Sequence, residues 1–161
     1  AASRAREKLE RLESSSRYLS TQEIPSLADR ILVADFSSPL PRFNVGFDLI
    51  VDIQALSYLS FEHASKRLAD LYHVASSGAT LVSRAFSDFQ DVGHADAASR
   101  GSLVTATTGP LGGMPAQRLT SEGELEELMS PWDIGGLELV ERHSRSTNEK
   151  ISEWLIRAVK K

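Results

Sequence analysis

The chain has 161 residues, 41% of them hydrophobic, a size that suits one globular domain with its own core better than two. Eighteen Lys and Arg against 22 Asp and Glu give a formal net charge of -4, so no broadly basic face is indicated that would hold a nucleic-acid backbone. With zero cysteines, disulfides, thiolate metal sites and a cysteine nucleophile are excluded, and no apolar run reaches the roughly 20 residues of a membrane helix. A soluble, cytoplasmic protein is the expectation. The chain opens Ala-Ala-Ser-Arg and runs directly into helical sequence, which reads as a cut from something longer.

Residues 1–24 begin with an amphipathic pattern in which Ala5, Leu9 and Leu12 recur at helical spacing, up to the Ser14–Ser16 cluster. "RILVADF" reads as a short buried strand, "SSPLPRFNVG" as a loop around Pro39 and Pro41, and "FDLIVDI" as a second buried strand. A helix follows, with Phe61, Ala64, Leu68, Leu71, Tyr72 and Ala75 on one face, Ser60 capping its start and Gly78 its end. "ATLVSRAF" is a third strand, and the strand-helix-strand unit within 31–86 is the βαβ signature of a parallel sheet. From Ser87 to Arg118 the composition turns to Gly, Ala, Ser, Thr and Asp, a long loop suited to act as a lid. Residues 120–161 complete the domain. "TSEGELEELM" is a helix with Ser121 and Glu124 at capping-box spacing, and "GLELVERHS" and "ISEWLIRAV" form an antiparallel hairpin.

Two aspartates, Asp35 and Asp52, end consecutive strands, where ligands bind in open α/β sheets. A carboxylate there can accept hydrogen bonds from an amine, hydroxyl or ammonium, with Phe36 adjacent as a stacking face; the alternative is that each aspartate only caps a turn. His63, His73, His94 and His143 have no metal-ligand spacing, and only His94, in the long loop, is placed to approach a substrate. Arg84 and Asp88 flank the end of the third strand and face either the same crevice or the surface. The "GPLGG" run neither follows a strand nor opens a helix, and Trp132 and Trp154 read as packing residues.

In their order, the phrases "RILVADFSSPLP", "FDLIVDIQALSYLS", "LADLYHVASSGATLVSRAF", "LTSEGELEELM", "GLELVERH" and "EWLIRAVKK" resemble the latter two-thirds of a class I S-adenosylmethionine-dependent methyltransferase. The resemblance covers nearly the whole chain as a single partial domain. It implies a mostly parallel, Rossmann-like α/β sheet of order 3-2-1-4-5-7-6 with a C-terminal antiparallel hairpin, strands 1 and 2 missing here. The implied cofactor is S-adenosyl-L-methionine. Carried over by motif, Asp35 meets the adenine amino group with Phe36 beside it, and Asp52, Ile53 and Gln54 meet the methionine part. Leu56, Tyr58 and Leu59 lie on the substrate side, where Arg84 and His94 join them as candidates.

No catalytic residue is implied, because methyl transfer from a sulfonium rests on geometry and water exclusion rather than on a fixed triad. The strand end "DIQA" lacks the Asn/Asp-Pro-Pro-aromatic motif of enzymes that methylate bases, which tilts the acceptor toward a small molecule. The family's glycine-rich loop and the acidic end of strand 2 are absent from this sequence, so this fragment alone is expected to bind cofactor weakly or not at all and to be inactive. A degenerate, non-catalytic domain acting in protein association, with self-association through exposed sheet edges, is the alternative. A dehydrogenase-type nucleotide-binding piece is a third, against which the closing hairpin argues.

Overall fold

The computed structural model describes residues 35, 36, 38–41, 43, 46–90, 92, 101–145 and 148–161. The chain divides into two compact units, Ala1–Ser38 and Pro39–Lys161. The helix expected in 1–24, the strand expected before Asp35, and His94 lie outside the described residues. In the first unit, Asp35 closes a turn: its carbonyl accepts from the Ser38 N–H at 3.1 Å and its carboxylate from the Ser38 hydroxyl at 3.4 Å.

The second unit is built on a four-stranded sheet. Strand β1 (Phe47–Ile53) is joined by a 3-10 turn (Ala55–Tyr58) and helix α1 (Phe61–Val74) to β2 (Ala75–Phe86). Two short strands, β3 (Leu103–Val104) and β4 (Gln117–Arg118), and helix α2 (Glu122–Leu128) lead to the hairpin of β5 (Asp133–His143) and β6 (Lys150–Val159). The sheet order is β1-β2-β6-β5.

Of its three pairings only β1/β2 is parallel; β2/β6 and β6/β5 are antiparallel, which corrects the expectation of a mostly parallel sheet. The reason lies in the hairpin. β5 runs in the same direction as β2, but its partner β6 folds back between them, so two antiparallel ladders replace one parallel ladder.

Local chemistry explains the element boundaries. The Ser60 side chain accepts from the His63 N–H and caps α1, and Ser121 and Glu124 form a reciprocal capping box on α2. Helix α1 stops at Val74 rather than running to Gly78, because Ala75 is already extended (φ -76°, ψ 145°) and pairs with Phe47. Gly78 has φ +76° and sits where a step of two residues in β1 matches a step of five in β2. Its freedom serves a bulge within the strand, not a helix end.

Helices α1 and α2 pack together, and with them are buried Leu68, Leu81, Leu125, Leu128, Trp132, Ile156 and Ala158. Each buried Leu or Ile contributes about 1.5–3 kcal/mol relative to exposure. Both indoles are satisfied, Trp132 Nε1 by the Leu68 carbonyl at 3.4 Å and Trp154 Nε1 by that of Thr120 at 2.8 Å.

The strand period sends alternate residues of β1 to the other face, where Leu49, Val51 and Ile53 are 59%, 57% and 55% exposed. The strand expected to be buried throughout therefore leaves its apolar face largely open, while the other face carries Asp48, Ile50 and the buried Asp52. Over 101–118 the expected loop is a packed ribbon: β3 pairs with β4, and a turn in Gly109–Gly113 drives Leu111 against Phe86 and Ala106. No helix among the described residues is long and apolar enough to cross a membrane.

Candidate functional site

Two polar clusters lie at the carboxyl ends of β1 and β2, one on each face of the sheet. The register pairs Asp52 with Ser83 and Ile53 with Arg84, so Ser83 and Arg84, consecutive in β2, serve opposite clusters.

On the helix-covered face, Asp52 is only 5% exposed. The Ser83 hydroxyl donates to one carboxylate oxygen at 2.7 Å, and the Leu56 N–H to the other at 3.3 Å. This ties the strand end to both its neighbour and the 3-10 turn that leaves it. Burial pushes the Asp52 carboxyl above its ordinary range, partly offset by Ser83, by the N–H groups of Leu56 and Ala55 and by the charge of Arg118.

Arg118, in β4, is 1% exposed; it donates through Nε to the Thr120 hydroxyl at 3.3 Å and through Nη1 to the Leu59 carbonyl. Burial lowers its own pKa, opposed by the charges of Glu124 and Asp52. The ribbon thus inserts a cation behind the strand end.

A carboxyl raised in the fold binds more protons there than in the unfolded chain. Its stabilising contribution is complete below the unfolded value of 3.8 and is lost as pH rises through the folded value. Asp52→Asn, which keeps the shape and can hydrogen-bond both partners, should remove that dependence. The difference between wild-type and variant stability should slope by up to about 1.4 kcal/mol per pH unit above the unfolded pKa and then level off. Parallel urea melts across the acid range measure it; a difference that does not change with pH would refute a titrating Asp52.

On the opposite face, Glu153 is 1% exposed and its carboxylate accepts from three side chains: Gln54 on one oxygen, Arg84 and Arg142 on the other. β6 brings Glu153 opposite Phe86 of β2 and Val140 of β5, which places it between the two arginines. Gln54 leaves β1 in the left-handed region (φ 66°), with its N–H donating to the Arg84 carbonyl at 3.1 Å. The turn after β1 is therefore held from both faces, by Asp52 and through Gln54.

The residues named from sequence divide accordingly. Asp52 and Leu56 are buried, Gln54, Tyr58, Leu59 and Arg84 half-buried, and Ile53 exposed, all around the β1 end. Asp35 is exposed and Phe36 half-buried, within the first unit. Asp88 is exposed, with the Ser87 hydroxyl 3.4 Å from its carboxylate. Sequence reasoning missed Ser83, Arg118, Arg142 and Glu153. The one signal was Glu153 itself, a charged residue inside the apolar run "ISEWLIRAV"; its partners emerge only from the strand register.

No protein-family profile and no curated protein matches the chain. Solved structures do. A SAM-dependent methyltransferase of Methanosarcina mazei superposes with a TM-score of 0.63 at 20% identity, over 96% of this chain and 77% of its own. A protein of Pyrococcus horikoshii gives 0.65 at 11%, over 99% and 66%. The 1,6-didemethyltoxoflavin N1-methyltransferase of Burkholderia thailandensis, with bound 1,6-didemethyltoxoflavin and S-adenosylhomocysteine, gives 0.57 at 17%, over 86% and 58%. The chain thus spans less than two thirds of the length of the last two. These likenesses, together with the sheet order and the helices that cover it, show that the chain has a methyltransferase-like α/β fold.

Proposed function

We propose that this chain supplies the C-terminal part of an S-adenosylmethionine-dependent methyltransferase domain that acts on a small-molecule acceptor. The observation that carries the reading is the doubly anchored turn after β1, at the strand end where the resemblance puts the methionine part of the cofactor. The fit of the residues to that group is partial. The Asp52 carboxylate is enclosed and already accepts two hydrogen bonds, so Asp52 acts as a positioning residue, while Ile53 and Tyr58 offer surface. The chemistry such a cofactor supplies is in-line methyl transfer: the acceptor's lone pair forms the new bond as the carbon–sulfur bond breaks onto sulfur, and the acceptor's proton passes to water. The protein's share is to hold this strand end rigid and to exclude water. A substrate-side role for Leu56, Leu59 and His94 belongs to the same proposal.

The test is an NMR titration of the 161-residue chain with S-adenosylmethionine. Weak, saturable shifts confined to the amides of Ile53–Tyr58 are expected, weak on the proposal that the family's glycine-rich loop is not part of this sequence. Shifts elsewhere only, or none together with self-association of the chain, would count against the reading. The exposed Leu49, Val51 and Ile53 favour a second reading, an association module that does no chemistry. In that case the cofactor leaves the spectrum unchanged, while sedimentation shows self-association that Val51→Lys abolishes.

A further inference from the structure

On the face opposite the helices, a groove of about 290 Å³ is lined by Arg84, Val140, Arg142, Glu153, Trp154 and Leu155. Its charge does not balance. Arg84 and Arg142 each spend one nitrogen, Nη2, on the same oxygen of Glu153, and neither makes another hydrogen bond among the described residues. Two guanidinium cations against one carboxylate leave one positive charge. By register, Glu138 pairs with Leu155 and Gly136 with Arg157, so Glu138 and Arg157 stand on this face farther along the strands, and their opposite charges cancel.

Arg84 is partly covered and Arg142 half-open, at 27% and 53% side-chain exposure. Glu153 therefore acts as a brace that fixes the two forks near each other, with their remaining N–H donors unspent. A guanidinium fork matches a carboxylate in plane and spacing, and Val140 and Leu155 supply apolar walls beside it.

We propose that this groove is a binding site for a small organic monocarboxylate with an apolar body, its carboxylate received by Arg142 and Arg84. One surplus charge suits a monoanion, and the volume, near the lower bound for ligand pockets, suits a single ring or a short branched chain. The site stands on its own geometry and does not require methyl transfer. It is nonetheless coupled to the β1 turn, because the brace that holds both arginines also holds Gln54.

The probes are benzoate and its neutral isostere benzamide, followed by amide NMR of the 161-residue chain. Benzoate should give saturable shifts at Val140, Arg142 and Leu155, and benzamide at equal concentration should not. Arg142→Gln should weaken benzoate by about tenfold or more while the spectrum remains that of the folded chain, as expected for a lost charge-assisted contact. Three results would overturn the proposal: no benzoate shifts around the groove, equal shifts with benzamide, or unchanged affinity in Arg142→Gln. The benzoate and benzamide comparison on the wild-type chain decides the question even if the variant does not fold. None of these outcomes depends on whether the cofactor binds.

Discussion

Replacing Arg118 with methionine should destabilise the domain by about 3–5 kcal/mol near neutral pH, the cost of removing one partner from a buried ionic cluster. Arg118 is 1% exposed, so its charge is tolerated only because Glu124 and Asp52 face it and because Leu59 and Thr120 accept its N–H groups. Methionine fills the volume but leaves the Leu59 carbonyl without that donor and withdraws the cation that holds the Asp52 pKa down. The Asp52 carboxyl then moves further in the direction burial already drives it, and the loss must grow as pH rises from the folded pKa of the wild type, itself above 3.8, toward the higher folded pKa of the variant. Urea unfolding near neutral pH and again near pH 4 reads this sign directly. Adding Asp52→Asn should recover part of the loss, because the coupled pair is then removed together, and a double-mutant cycle measures that coupling. A cost below about 1 kcal/mol, the scale of exposed pairs, would mean that the cluster is not buried in solution.

The elements of this fold were legible where short-range chemistry decides them. Phe47–Ile53 is a strand with the bounds its apolar run suggests, Ser60 and Ser121 cap the helices that follow them, and the last two runs form a hairpin. Misreadings arose where one residue serves either of two geometries. Gly78 looked like a helix end because a positive φ is what a C-cap needs, and a bulge needs it equally. The sheet looked mostly parallel because the strand-helix-strand rhythm predicts direction but not neighbours; that β6 inserts between β2 and β5 came only from the implied order 3-2-1-4-5-7-6, whose 4-5-7-6 part the described sheet follows. The same limit governs the site. Asp52 was found because it ends a strand; that it points into the helix-covered face and toward Ser83 follows from pairing across 31 residues. Glu153 and Gln54 are 99 residues apart and meet only through the register of β1, β2 and β6.

Glu153→Gln should cost about 2–4 kcal/mol near neutral pH, somewhat below the range for a fully buried pair because one of its arginines is more than half exposed and water screens it. The carboxylate is the sole counter-charge that Arg84 and Arg142 contact among the described residues, so its neutralisation leaves two like charges side by side at the sheet surface. That repulsion acts between partly solvated groups, and added salt should shrink the loss; a loss caused only by misfitted packing would be indifferent to salt. Arg84→Met placed on Glu153→Gln should restore much of the stability by removing the half-covered charge that has no partner left. By contrast, Arg142→Gln alone should cost no more than about 1 kcal/mol, since its side chain is 53% exposed and Arg84 still balances the glutamate. This asymmetry separates brace from receptor. Glu153 carries the stability and Arg142 is dispensable to the fold, so a cation kept at Arg142 is available for a ligand rather than required by the sheet. If Arg142→Gln were as destabilising as Glu153→Gln, both arginines would be consumed in holding the strands together and no charge would remain to receive an anion.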